Sequence, residues 1–246
     1  MIKLVVSDVD GTLLPIGSGK LDASVIGGIS RVLDRGAAFA IASGRSYENL
    51  RALFGNLSEK IYFICHDGAL CVKNGKAIYR RPIGTDDLSC FFSNAKSALA
   101  YAVFSGESGA YTFGGSAKDR FEREGGDRVR MISSVYEIKE PIYKVSVLGG
   151  APFADKLSGI RRIAGSSEWS EYVCAGTNKG TALSYLQLKL SVSAFDTAVL
   201  GNGENDIPML KNAKLGASLP DANQSYAALA RDRFNSPADF FEFVNS

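Results

Sequence analysis

Apolar and polar positions follow two different rhythms along this chain. Residues 3–7 form a short β-branched run, which predicts a buried strand. Val25, Ile26, Ile29, Val32 and Leu33 follow at helical spacing, and Gly36 suits the end of that helix. Residues 38–42 make a second apolar run, 47–54 a second helix, and 61–65 a third run. Repeated strand–helix–strand units predict a parallel sheet covered on both faces. Such sheets bind ligands at the carboxyl ends of their strands.

Then the rhythm changes. The run 71–79 is broken by Asn74-Gly75, a two-residue hairpin signal. The stretch 86–99 places Leu88, Phe91, Phe92 and Ala95 on one helical face. Strand-like pieces at 101–104, 110–113, 135–138 and 143–148 are separated by Gly-rich turns, and a helix over 153–163 and a strand near 169–174 follow. Phe91, Phe92, Tyr101, Phe104, Tyr111 and Phe113 are expected mostly as core of this segment, with one or two facing a substrate ring. This α+β mixture predicts an inserted second domain, 83–177, between two core segments, 1–82 and 178–246. After Lys179 the first rhythm returns. A helix carries Ala182, Leu183, Leu186 and Leu190, 197–200 is a strand, and Met209 and Leu210 open a short helical pattern. A last strand is expected at 214–217, with helices near 222–230 and 238–244.

Composition narrows the chemistry. The 246 residues carry 28 Lys and Arg against 26 Asp and Glu, too even a balance for a binder of nucleic-acid backbones. Hydrophobic content of 46% excludes a disordered chain. There is one histidine, so metal sites and relays needing two are out. None of the four cysteines stands in a C-x-x-C pair, which removes zinc ribbons and thioredoxin-type redox sites. The first apolar stretch is too short for a signal-peptide core, and no run approaches the roughly 18 residues of a membrane span. A cytoplasmic protein with reduced thiols is expected, without nucleic-acid or membrane partners and as a monomer or weak dimer. Chemistry must then rest on carboxylates, hydroxyls, lysine and arginine.

Four polar clusters each follow a predicted strand: Asp8-Val9-Asp10-Gly11-Thr12, Ser43-Gly44-Arg45, His66-Asp67-Gly68 and Gly201-Asn202-Gly203-Glu204-Asn205-Asp206. In a parallel sheet these ends converge on one edge. Asp8 and Asp10, two apart on a strand, are expected to point the same way, and paired carboxylates repel unless a cation lies between them or one is protonated. Mg²⁺ suits the first case, being a hard ion that takes oxygen ligands. Cys65 and His66, adjacent on a strand, should face opposite ways, so His66 is expected at the rim and not in a Cys–His pair.

D-V-D-G-T-L-L resembles the first motif of the haloacid dehalogenase superfamily of phosphatases. Ser43-Gly44-Arg45, Lys179 in N-K-G-T-A-L, and G-N-G-E-N-D-I-P-M-L resemble the second, third and fourth. The insertion resembles the type II cap of the Cof-type (IIB) sugar phosphatases. The resemblance implies an α/β fold with a Rossmann-like parallel core and an inserted α+β cap. It further implies Mg²⁺-dependent hydrolysis of a small phosphorylated metabolite, a sugar phosphate, through an aspartyl-phosphate. Asp8 would be the nucleophile, Asp10 the general acid and base, and Ser43 and Lys179 the remaining catalytic groups. Gly11, Thr12, Gly44, Arg45 and Asn205 would bind phosphate or substrate. Asp8, the Asp10 carbonyl, Asn202 and Asp206 would serve the metal. Two residues depart from the pattern. Asn202 stands where relatives have an aspartate ligand, so weaker metal binding is expected, and Asp67 stands where they tend to have asparagine. A phosphomutase with the same nucleophile, or a weakened sugar-phosphate binder, are the alternative readings.

Overall fold

The computed structural model describes every residue except 16, 95–98, 150, 152–153 and 164–167, together with all side chains of those described except that of residue 94. The chain opens with β1 (Leu4–Ser7), α1 (Ala23–Asp34), β2 (Ala38–Ala42), α2 (Tyr47–Phe54), β3 (Tyr62–Cys65), β4 (Leu70–Lys73) and β5 (Lys76–Arg80). The middle holds α3 (Thr85–Asn94), β6 (Ala102–Ser105), β7 (Ala110–Thr112), α4 (Gly115–Arg123), β8 (Val129–Met131), β9 (Lys144–Leu148), β10 (Ile160–Ile163) and β11 (Trp169–Cys174). Last come α5 (Lys179–Leu190), β12 (Thr197–Gly201), α6 (Ile207–Leu210), β13 (Leu215–Ser218), α7 (Gln224–Ala227), β14 (Asp232–Arg233) and α8 (Pro237–Asn245).

The first and last stretches share one sheet, ordered β14-β13-β12-β1-β2-β3-β4-β5. Its strands are parallel from β14 to β3, and β4 alone runs the other way, pairing antiparallel with both β3 and β5. The apolar runs explain this layering, because β1 and β12 are buried on both faces. One face packs Val5, Phe39, Ile41 and Phe63 under α1 and α8, and the other packs Leu4, Val6, Ala40 and Ile64 under α5. The middle strands form a second sheet, β10-β11-β9-β6-β7-β8. Its core joins Ile83, Phe91, Phe104, Val145, Val147 and Tyr172. Phe92, Tyr111 and Phe113 pack partly buried against that core, whereas Tyr101 is exposed.

The chain leaves β1 towards β2 on one side and returns to it through β12 on the other. This is the switch point at which open α/β sheets bind ligands. The hairpin forms where expected, with Asn74 and Gly75 both left-handed at φ 51 and 69.

Several expectations change. Residues 135–137 form a 3₁₀ turn and not a strand, because Ser134 and Glu137 cap it reciprocally. The helix expected over 153–163 is a 3₁₀ turn at 154–156 followed by β10, which pairs antiparallel with β11; residue 153 lies outside the described residues. Edge pairing outweighs helical spacing there. The helix expected over 86–99 is described as α3 to Asn94, with 95–98 outside the described residues, and the one near 222–230 shrinks to α7. Helix α4 is not legible in the sequence because it is short and mostly polar, with only Ala117 fully buried and Phe121 packed beside it.

Candidate active site

Every parallel strand near the switch point ends in polar residues at the same edge. Asp8 follows β1 directly, and its backbone N–H still donates to Leu200 in β12 at 2.9 Å. The turn after it tightens at Gly11, whose φ of 73 suits glycine. The turn brings Thr12 back, so that its Oγ1 donates to Asp8 Oδ2 at 3.0 Å. Asn178 caps α5 by accepting from the Thr181 N–H at 2.8 Å, which fixes Lys179 in the first helical turn.

Lys179 Nζ donates to Asp8 Oδ1 and to Asp206 Oδ1, both at 2.7 Å, and all three groups are buried. Asp206 Oδ2 accepts from the backbone N–H groups of Asn202 and Gly203, each at 3.0 Å. Burial pushes the Asp8 carboxyl up to about 7, with Lys179 pulling it down and Asp206 pushing it up. Lys179 is held above its ordinary value, since the two aspartates outweigh the burial that disfavours its charge.

Asp10 does not share Asp8's orientation. The strand stops at Ser7, so alternation no longer applies, and the Asp10 side chain is 54% exposed. Arg45 grips it in a fork, Nη2 to Oδ1 at 2.6 Å and Nε to Oδ2 at 2.9 Å, while Arg45 Nη1 donates to Asn49 at 2.8 Å. Ser43 is buried at the end of β2, and its Oγ accepts from the Arg45 N–H at 3.2 Å.

The loop after β3 carries three consecutive left-handed residues, His66, Asp67 and Gly68, at φ 48, 54 and 102. Backbone bonds from His66 to Arg45 and from Asp67 to Ser43, both 3.0 Å, lash it to the loop after β2. A side chain at residue 68 would overlap the Asn178 carbonyl, so glycine is required where this loop meets α5. Asp67 is buried, accepting from Asn205 Nδ2 at 3.0 Å and facing Lys144 Nζ at 3.9 Å. Burial alone would raise its carboxyl, but Lys144 and Lys179 more than offset that and hold it low. His66 is also buried, not at the rim, because its left-handed backbone turns the ring inward against Tyr143, with centroids 5.9 Å apart. Burial, helped by Lys144, depresses its pKa to about 3, so the ring is neutral. Cys65 is buried beside it, and burial raises its thiol well above the ordinary range, which rules out a reactive thiolate.

Sequence reasoning missed Lys144. It stands at the start of β9 in the second sheet, reaches across to the Gly44 carbonyl at 2.8 Å and pairs with Glu171 at 3.0 Å. Burial disfavours its charge, but Glu171 and Asp67 hold its pKa above the ordinary value. A buried run of alternating residues gave no sign that one lysine points at the other sheet.

The donors at this edge that suit a hard cation are all oxygens: the Asp8 carboxylate, the Asp10 carbonyl and the Asn202 side chain. Asn202 Nδ2 donates to the Asp10 carbonyl at 3.0 Å, so these two groups already meet face to face. A turn of that amide presents its oxygen beside the same carbonyl, a donor set that fits Mg²⁺. Asp206, also expected to serve the metal, lies at the same edge, with Oδ1 accepting from Lys179 and Oδ2 from the backbone N–H groups of Asn202 and Gly203. Among the described residues no three His, Cys, Asp or Glu side chains converge as a ready-made metal cluster.

A family model described as haloacid dehalogenase-like hydrolase matches residues 5–239. The chain is 22% identical to the 5-amino-6-(5-phospho-D-ribitylamino)uracil phosphatase YbjI of Escherichia coli K12 over 96% of its own length and 91% of that protein's. It superposes on the phosphatase BT1666 of Bacteroides thetaiotaomicron with a TM-score of 0.84 at 23% identity, covering 99% of this chain and 94% of the other. The subclass IIB sugar phosphatase BT4131 gives a TM-score of 0.77 at 20% identity, over 97% and 95%.

Proposed function

Because this chain belongs to the haloacid dehalogenase-like hydrolase family and is a phosphatase, we propose that it hydrolyses a small sugar phosphate through an aspartyl-phosphate on Asp8, with Mg²⁺ as cofactor. The observation that carries this reading is the buried Lys179 bridging Asp8 and Asp206 at 2.7 Å each, at the sheet's switch point. A lysine so placed neutralises negative charge where a carboxylate and a phosphate must approach each other.

Asp8 Oδ2, which accepts from the Thr12 hydroxyl, is the attacking oxygen, while Lys179 keeps Oδ1 aligned. A covalent intermediate divides a very slow hydrolysis into two easier steps. Asp10 protonates the leaving alcohol and then takes a proton from the incoming water. Arg45 fixes the position of that carboxylate through its fork, Nη2 and Nε donating to its two oxygens. Ser43, Gly44 and Asn205 bind the phosphate oxygens, and Asp206 keeps Lys179 in register. Asp8, the Asp10 carbonyl and Asn202 would hold Mg²⁺, which supplies positive charge against the repulsion between nucleophile and phosphate. Residues 1–82 and 178–246 act as the catalytic core. Residues 83–177 act as a cap that excludes bulk water, fastened by Lys144. A sugar or polyol ester is supported by the relatives, one named for a phosphoribityl compound and one called a sugar phosphatase. Among the described residues no helix is long and apolar enough to cross a membrane.

The test is phosphate release from a panel of phosphomonoesters, with and without Mg²⁺, for the wild type and Asp8→Asn. Metal-dependent release that the variant loses is the expected result. Release that persists in Asp8→Asn would overturn the assignment of the nucleophile.

A further inference from the structure

A cleft of about 310 Å³ lies between the strand-end loops and the second sheet, and the chemistry at Asp8 does not use most of its wall. Four carboxylates line it, Asp10, Glu124, Asp127 and Glu171, against two cations, Arg45 and Lys144. Both cations are engaged: Arg45 by Asp10 and Asn49, Lys144 by the Gly44 carbonyl and Glu171. Glu124 divides its oxygens between Arg120 and the Trp169 ring N–H, both at 2.6 Å. Asp127 accepts from the Ser46 hydroxyl at 2.6 Å and forms no ion pair among the described residues. The surplus charge of the cleft is therefore negative and centred on Asp127.

Two further features point to a ligand. His66 borders the cleft and is 2% exposed; the Gly106 backbone approaches its ring, but among the described residues neither ring nitrogen has a well-aligned hydrogen-bond partner. A neutral imidazole left with one donor and one acceptor unmet inside a protein is costly unless something else meets them. Phe121 and Trp169, edge to face with centroids 5.8 Å apart, supply an apolar wall.

We propose, resting on the phosphatase reading above, that this cleft receives the leaving group and favours one that carries an ammonium or only hydroxyls over one that carries a second anion. An ammonium gains a direct ion pair at Asp127, which forms none among the described residues and meets Lys144 only at longer range. Hydroxyls find acceptors in the carboxylates of the cleft wall, and the carbon face of a sugar lies on Phe121 and Trp169. A second carboxylate or phosphate would meet Asp127 and Glu171 with no spare cation to balance it, and such like-charge contacts are an effective means of rejection.

Glucosamine 6-phosphate, glucose 6-phosphate and 6-phosphogluconate are matched in size and differ in charge. Calorimetric dissociation constants for the three, with phosphate release measured in parallel, test the proposal. The expected order of affinity is glucosamine 6-phosphate, then glucose 6-phosphate, then 6-phosphogluconate, with steps of about tenfold for one near counterion. In Asp127→Asn the first step should shrink towards unity and 6-phosphogluconate should gain. Equal affinities in the wild type, a reversed order, no binding of any ester, or ratios unchanged in Asp127→Asn would each overturn the proposal. The wild-type order alone decides should the variant fail to fold. The expected order with no phosphate release from any ester would support the cleft's selectivity and refute the hydrolytic reading instead.

Discussion

Acidification from pH 7 to pH 5 should weaken this fold through His66 alone by about 2 kcal/mol. In the folded state burial and the neighbouring Lys144 depress the ring's pKa to about 3, against an ordinary value of 6.5. Asp67 and the Gly106 backbone act in the opposite direction but less strongly, and the stacked Tyr143 ring adds no charge. As pH falls below 6.5 the unfolded chain binds a proton at this histidine and the folded chain does not. Stability attached to the neutral ring is thus complete above pH 6.5, falls steadily below it, and is exhausted near pH 3. Each pH unit within that window is worth about 1.4 kcal/mol, and about 1.5 units separate 6.5 from 5. Asp8 works the other way, because its raised pKa lets the folded state take up a proton first, so the wild-type curve by itself is shallow. Comparison with His66→Asn isolates the effect, asparagine being tolerated at a left-handed position. Urea unfolding of both proteins at pH 7 and pH 5 is the assay. The variant should be weaker at both values but should lose about 2 kcal/mol less on acidification. Equal losses in the two proteins would mean that the buried ring accepts a proton freely, and the reasoning from desolvation would be wrong.

Two other outcomes follow from single residues. Asn202→Asp replaces the amide that donates to the Asp10 carbonyl with a carboxylate that repels it, so the metal-free protein should melt lower while Mg²⁺ raises its melting temperature at lower concentration than in the wild type; an unchanged Mg²⁺ titration would refute the assignment. Gly68→Ala should cost on the order of 3 kcal/mol, seen as a lower denaturant midpoint, since a Cβ there meets the Asn178 carbonyl at a φ of 102.

What could be read in advance followed from periodicity. The parallel strands and long helices of the first sheet announce themselves through apolar runs, and their polar ends announce the site. Asp8, Ser43, Lys179 and Asp206 were legible because each follows or opens such an element. The second sheet was harder. Its helix α4 buries almost nothing of its own, and β10 is held by its partner strand and not by its own pattern. His66 and Asp10 were misjudged for one reason: both lie just past a strand end, where alternation no longer dictates direction. Lys144 carries no local signal at all, since its meaning lies in a carbonyl one hundred residues away.

That bond has a mechanical corollary. The carbonyl it grips belongs to Gly44, between Ser43 and Arg45, and its other partners are Glu171 on a neighbouring strand and Asp67 on the next loop. A rotation of the second sheet that lifted Lys144 away would take a cation from buried Asp67 and half-buried Glu171 and loosen the loop that carries Ser43. Tilt of the upper sheet and shape of the lower loop are thus geared as one degree of freedom. Any opening that broke the bond from Lys144 to the Gly44 carbonyl would therefore also relax the loop proposed to hold the reacting phosphate.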